Sequence, residues 1–243
     1  MSIQLEAIVL KSFDYQEHHK IVKMISPSHG LISVFINYAN KKKSRMLAIA
    51  EPLTCVLINV KESNSQTGGL FFLQHGDVID PFYEIKMEYD LIMLFYEMAQ
   101  IIVRGDIEEI HLPYIYRTLK AILSAPFKNP SSLRYGVVIF KAKITASLGI
   151  APMVDCCVGC GGIKNIITAS ATEGGLICQS CYKSTGIWIK PDLVNIWRAL
   201  FKSPVDKLLS LEISDDQLEI LEIWFKSYYE FYSNIRYKRT IEI

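Results

Sequence analysis

Between Ile3 and Pro81 the apolar residues, rich in Ile, Val, Leu and Phe, fall in short runs separated by polar turn clusters, the pattern of strands. The pattern predicts strands over Ile3–Phe13, Lys20–Ser26, Leu31–Tyr38, Leu53–Lys61 and Leu70–Ile79. Clusters of turn-forming residues separate them, Pro27-Ser28-His29-Gly30 and then Glu62 to Gly69. Five short strands in about eighty residues fit a small closed Greek-key barrel of the OB type, and an SH3-like barrel would give much the same pattern.

Beyond Pro81 the period lengthens to that of a helix. A helix over Ile85–Arg104 puts Leu91, Leu94, Phe95, Met98, Ile101 and Ile102 on one stripe and stops before Gly105. Pro113 opens a second helix reaching about Ser124, with Tyr116, Leu119, Ile122 and Leu123 inward. Asn129-Pro130 reads as the cap and first-turn proline of a third, which runs to Leu148 before Gly149. Two more are predicted over Pro191–Lys202 and Ser214–Ser233, the last entered through the Ser214/Gln217 spacing of a capping box. Its stripe of Leu218, Leu221, Trp224, Phe225, Tyr228 and Phe231 reads as core.

Between the helical segments lie Cys157, Cys160, Cys178 and Cys181, two Cys-x2-Cys knuckles separated by seventeen residues. Two residues between thiols let both sulfurs face one point across a tight turn, and two such knuckles complete a tetrahedron around Zn2+. Gly159, Gly161-Gly162 and Gly174-Gly175 let the backbone curl towards the metal. Thiolate at all four positions leaves no open site for water or substrate, so the zinc is expected to be structural. Cys156 could replace its neighbour, but only Cys157 has the two-residue spacing; Cys156 and Cys55 read as small buried hydrophobes. The expected class is therefore α+β and multidomain: an OB-fold, nucleic-acid-binding barrel over 1–81, a helical domain over 82–151 resumed at 184–243, and an inserted zinc ribbon at 152–183.

Composition narrows the function. Half of the 243 residues are apolar and the net charge is +1, so any case for nucleic acid must rest on local charge. The longest apolar stretch, Leu91 to Val103, is broken by Glu97 and too short to span a bilayer, and the N-terminus lacks a signal-peptide pattern, so a cytoplasmic protein is expected. No phosphate loop, nucleophile elbow, zincin motif or deaminase signature is present, which argues against an enzyme. His18-His19 read as surface residues beside a turn. The basic run Lys41-Lys42-Lys43-Ser44-Arg45 is more suggestive: a loop at the barrel rim that Lys11, Lys20 and Lys23 could extend over one face. Phe13, Tyr15, Phe35 and Tyr38 are interleaved with it, and a single-strand groove combines cations for phosphates with rings for bases. A second, weaker cluster comprises Arg236, Lys238 and Arg239.

The order of these parts resembles the bacterial recombination mediator family RecO over essentially the whole chain. The resemblance rests on Ala7–Ser12 with Tyr15 and Glu17, Lys20-Ile21-Val22, Gly30–Ser33, the basic loop ending in Lys43-Ser44, Leu148–Pro152 running into Cys157–Gly161, and Gly174–Cys178. Tyr38-Ala39-Asn40 departs from the Gly-Ala-Arg-type turn frequent in the family. The resemblance implies a non-enzymatic protein of RecF-pathway DNA repair, without small-molecule substrate or membrane. It would bind single- and double-stranded DNA, anneal strands, and act with RecR to load RecA on strands covered by SSB, at the nucleoid during repair. Lys11, Lys20, Lys23, Lys41, Lys42, Lys43 and Arg45 are the candidate DNA contacts, and Arg236, Lys238 and Arg239 a second set for DNA or the acidic SSB tail. The competing expectation is a zinc-ribbon interaction scaffold whose nucleic-acid contact is incidental.

Overall fold

The computed structural model describes residues 2–39, 45–62, 70–126 and 130–232. The chain divides into two compact units, Met1–Val103 with Ile107–Ser124, and Arg104–Asp106 with Ala125–Ile243.

The first unit is built on five strands, β1 (Ser2–Tyr15), β2 (His19–Ser26), β3 (Gly30–Ile36), β4 (Cys55–Glu62) and β5 (Leu70–Asp80). They close in the order β1-β2-β3-β5-β4, with β3 parallel to β5 and every other pair antiparallel. This is the five-stranded OB-type closure expected from five short strands in about eighty residues. Fourteen residues let β1 serve two partners, its first half pairing with β4 and its second with β2. Leu5, Ala7 and Val9 of β1 meet Val22, Met24, Ile32, Val34, Ile36, Val56, Ile58, Val60 and Phe71 inside the barrel.

One irregularity decides what β1 shows to solvent. Val9 opposes Met24, but the next pair is Lys11 with Lys23, so Leu10 is the extra residue of a β-bulge. Before it, odd-numbered residues point into the barrel; after it, Ser12 opposes the interior Val22, and Lys11, Phe13 and Tyr15 point outward. A one-residue change of phase turns every later side chain to the other face.

A five-residue helix, α1 (Arg45–Ile49), follows β3, and Met46, Ile49 and Ala50 pack into the barrel core. The sequence placed Arg45 in a loop; it instead opens this helix. The predicted helix over Ile85–Arg104 is two helices, α2 (Tyr83–Lys86) and α3 (Tyr89–Arg104), interrupted at Met87-Glu88. Leu91, Phe95, Met98, Ile101 and Ile102 are buried, as their stripe requires, whereas Leu94 at its edge is only half-buried. Helix α4 (Leu112–Leu123) carries Pro113 in its first turn and buries Tyr116, Leu119, Ile122 and Leu123.

Helix α4 is tied to the barrel through a single carboxylate. Tyr116 Oη and Lys120 Nζ both donate to Oε1 of Glu6 on β1. The Lys120 hydrogen bond, then that of Tyr116, hold the Glu6 carboxyl below its ordinary value of 4.5, while burial works against them. A carboxylate depressed in the folded state contributes stability that is full above its unfolded value and lost as pH falls through the folded one. Glu6→Gln should therefore lower stability at neutral pH, and its difference from the native protein should shrink as pH falls below the ordinary carboxylate value. Chemical denaturation at stepped pH checks this.

The second unit contains α5 (Pro130–Ser147), strands β6 (Ile166–Ser170), β7 (Gly175–Cys178) and β8 (Ile187–Trp188), and helices α6 (Pro191–Lys202), α7 (Val205–Leu209) and α8 (Asp215–Tyr232). Asn129, the expected cap of α5, lies outside the described residues. Helix α5 packs against α6, α7 and α8, and the strands form an antiparallel sheet in the order β7-β6-β8. Between α6 and α8, Trp197 and Trp224 meet edge to face at 4.9 Å, and Tyr228 stacks on Trp224 at 4.5 Å. The capping box forms: Gln217 N–H donates to Ser214 Oγ at 3.3 Å and Ser214 N–H to Gln217 Oε1 at 3.0 Å. The core stripe of α8 differs at one place, because Tyr229 is buried and Phe231 faces solvent. No helix among the described residues is long and apolar enough to cross a membrane.

Candidate functional site

The outward side chains of β1, β2, β3 and β5 form one continuous face of the barrel. Cross-strand register places Lys11 opposite Lys23, Phe13 opposite Ile21 and Tyr15 opposite His19; Ile21 in turn opposes Phe35, and Phe35 opposes Phe72. Such pairs lie within about 5.5 Å at Cβ, close enough for their rings to touch. Phe35 is the hub. Tyr15 meets its ring edge-on at 5.7 Å, His19 stacks on it at 5.3 Å and Phe72 meets it edge-on at 5.5 Å. Tyr38 extends the cluster through His19 at 5.4 Å, and Tyr38 N–H donates to His19 Nδ1.

These rings are unusually bare for apolar groups: Phe13, Tyr15, Tyr38 and Phe72 are between 37% and 52% exposed. They stand together, so they form a patch and not scattered surface residues. Lys11 Nζ lies 4.7 Å from the centre of the Phe13 ring, a cation–π contact that keeps the charge on the face. Lys61 of β4 sits beside Phe72 in the ladder and is also exposed. Lys11 and Lys23 have no carboxylate partner among the described residues. Rings between cations can take a stacked base and its phosphate at once.

The structure does not bring all the expected contacts to this face. Lys20 opposes Asp14 on the other side of the sheet and is ion-paired to it at 2.6 Å. Arg45 is exposed at the start of α1. Lys41, Lys42, Lys43, Arg236, Lys238 and Arg239 lie outside the described residues. Conversely, His19 and Phe72 belong to the face, although the sequence marked His19 only as a surface residue beside a turn and gave Phe72 no role. Their signal was two-dimensional: only the register of four strands puts them beside Phe35.

The four cysteines converge. Their sulfurs all lie within 4.8 Å of one another, and Cys160 Sγ and Cys178 Sγ are 3.7 Å apart. Four sulfurs at about 2.3 Å from a tetrahedral ion would be about 3.8 Å apart, so this set could hold a metal ion. Burial resists ionisation of Cys157, yet backbone N–H groups of Cys178, Cys160 and Gly159 outweigh it and bring the thiol down to about 6. Hydrogen bonds with the sulfurs of Cys160 and Cys178 keep the proton on Cys181, pushed up to about 12. Four thiolates crowded this closely repel one another; a divalent cation is the group that lets all ionise together. Cys156 is half-buried outside the set.

Tight backbone positions the sulfurs. The first knuckle is closed by Gly161 N–H donating to Cys157 O at 2.9 Å and Cys157 N–H to Gly162 O at 2.8 Å. Gly161 takes a φ of +72°, which favours glycine. The second is pinned where Met153 runs against Gly175, since a Cβ on Gly175 would stand 2.2 Å from Met153 O. Gly175→Ala should lower stability by about 1–3 kcal/mol, the usual cost of forcing atoms into filled space, and should weaken metal retention. Denaturant midpoints and metal content of the purified variant check this.

Two family models divide the chain between them. One, recombination protein O N terminal, matches residues 1–82, and the other, recombination protein O C terminal, matches residues 108–240. The chain belongs to the recombination protein O family. DNA repair protein RecO of Bacillus subtilis strain 168 is 26% identical over 242 residues, covering 98% of this chain and 92% of that protein. DNA repair protein RecO of Listeria monocytogenes serotype 4b (strain F2365) is 27% identical over 237 residues, covering 96% of this chain and 90% of that protein. The N-terminal model of the RecO family spans the barrel with its aromatic face, and the C-terminal model spans all four cysteines.

Proposed function

We propose that this chain is a non-enzymatic recombination mediator that binds DNA strands, anneals complementary ones, and acts with RecR to load RecA onto SSB-covered single strands in the cytoplasm. The observation that supports it best is the ring-and-lysine face centred on Phe35, held by Lys11, Lys23 and Phe13 on one side and Phe72 on the other. Cations neutralise phosphates and so lower the repulsion between two strands brought together. Rings carry bases by their faces and leave the pairing edges free for a second strand. Lys41, Lys42, Lys43 and Arg45, which follow β3 in sequence, would supply further phosphate contacts; Lys20, paired with Asp14, contributes less. Arg236, Lys238 and Arg239 serve as a second basic set for DNA or the acidic SSB tail.

The four cysteines would hold a structural Zn2+, which supplies no chemistry to a substrate and fixes the turns on either side of β6 and β7. The competing reading, a zinc-ribbon scaffold with incidental nucleic-acid contact, leaves the bare aromatic face unexplained.

Lys11→Ala/Lys23→Ala tests the reading. For single strands, log affinity falls with log salt by about 0.7 per neutralised phosphate, so the double variant should flatten that slope by about 1.4 and slow annealing at low salt. An unchanged slope and annealing rate would count against the face.

A further inference from the structure

The second unit has an aromatic site of its own. Of the three tryptophans, Trp197 and Trp224 are buried, whereas Trp188 is 59% exposed at the end of the edge strand β8. Its indole is 5.0 Å from the ring of Tyr182 and forms one wall of a cleft of about 340 Å³. Leu193 of α6 and Ile220 of α8 supply apolar lining, and Lys190, Asp192, Ser214, Asp216 and Gln217 supply the polar groups, Asp192 being already engaged by the Gln217 amide. Cavities of this size hold small planar ligands, with a few polar groups fixing their orientation.

The polar groups are of both signs. Gln217 is fixed, its amide donating to Asp192 Oδ2 at 2.7 Å and its carbonyl accepting from Ser214 N–H. The Asp216 carboxylate and the Lys190 ammonium have no partner among the described residues. A ligand complementary to all of this has a flat apolar face for the indole, an N–H donor for a carboxylate, and an anion for an ammonium. An unpaired nucleotide whose base carries an exocyclic amino group has all three. A carboxylate accepts from the amino group of cytosine, and indole stacks on any base. Thymine has no amino group, and its single ring donor, N3–H, lies between two carbonyl oxygens that the Asp216 carboxylate would repel, so it should fit less well. A purely acidic peptide would meet Asp216, and a purely basic one Lys190.

We propose that this cleft is a second single-strand site, separate from the barrel face, that takes one unstacked amino-bearing base with Trp188 against its ring, Asp216 on its amino group and Lys190 on its phosphate. The proposal rests on the DNA-binding reading. A protein with two single-strand sites can hold two strands at once, which annealing requires.

The test uses the full-length protein carrying Phe35→Ala, which weakens the barrel face, and follows tryptophan fluorescence with cytidine and thymidine oligonucleotides. Oligo(dC) should quench the exposed indole, oligo(dT) several-fold less at equal concentration, and Asp216→Asn should reduce the difference. Trp188→Phe should remove the quenchable signal. Strand binding by the unmodified protein, followed by the anisotropy of a labelled oligonucleotide, separates the two ideas. Binding there without any quenching of Trp188 overturns the second site alone, and no binding anywhere overturns the DNA reading. Quenching by an arginine-rich or acidic peptide but not by oligo(dC) overturns the proposal in favour of a protein ligand.

Discussion

Removing the Zn2+ proposed for the four cysteines should unfold the segment from Met153 to Trp188 while leaving the barrel folded. The sheet β7-β6-β8 has only eleven residues in its strands, Ile166–Ser170, Gly175–Cys178 and Ile187–Trp188, too few to sustain a core of its own. Structural Zn2+ contributes on the order of 10 kcal/mol of apparent folding free energy in small modules, more than the stability of many whole domains. Cys157 is the sulfur with most to lose. It is buried, and it accepts from Gly159 N–H at 3.4 Å and Cys178 N–H at 3.3 Å. Cys157→Ser should therefore purify without stoichiometric metal, lose protection of the β6 and β7 amides from hydrogen exchange, and keep that of β1 to β5. A strong chelator should do the same to the native protein. If the metal leaves and the amides of Ile166–Cys178 stay protected, the cluster does not hold these strands together.

The second large effect belongs to the barrel face. Each base stacked on an aromatic ring contributes about 1–3 kcal/mol. Phe35 touches Tyr15, His19 and Phe72, so changing Phe35 and Phe72 together removes the hub and one arm of the platform. We expect Phe35→Ala/Phe72→Ala to weaken single-strand binding by at least about 2 kcal/mol, roughly thirtyfold, with the salt slope unchanged. That last feature distinguishes it from the lysine variant, in which the slope itself changes. Because the two rings are in contact, their separate losses should not add. Both side chains reach solvent and neither is among the buried residues of the barrel core, so the thermal midpoint should move little compared with Val34→Ala in the interior. A large loss of stability with retained affinity per folded molecule would make Phe35 a packing residue and nothing more.

Much of this was legible in the chain because it was local. Strands β2 and β3 stood out as short apolar runs between turn clusters, but Ile21, Leu31 and Phe35 are as apolar as the interior Val22, Met24, Ile32, Val34 and Ile36, so their inward face did not. The cysteine spacing carried its own chemistry, and Ser214 with Gln217 marked a helix start to within a residue. What was not legible depended on irregularity or on distance. The bulge at Leu10 inverts the facing of Lys11, Phe13 and Tyr15, and no local property of those residues reveals it. Lys20 looked equivalent to Lys23, yet three positions of alternation put it on the opposite face with Asp14. His19 read as a turn residue because its partner Phe35 is contributed by another strand. Helices α1 and α7 are five residues each, too short for a helical period to show.

The barrel face is proposed to bind bases as well as phosphates, and one comparison tests this directly. Affinities for a single-stranded oligonucleotide and for a duplex of equal length are to be measured by anisotropy from low salt to about 0.5 M, where the Debye length falls to roughly 4–5 Å. A duplex keeps its bases stacked on one another and can offer only phosphates to Lys11 and Lys23, so its affinity should vanish at the upper end. The single strand should retain measurable binding there, and Phe35→Ala/Phe72→Ala should abolish that remainder. Loss of both substrates in parallel, with no salt-resistant remainder for the single strand, would contradict the claim.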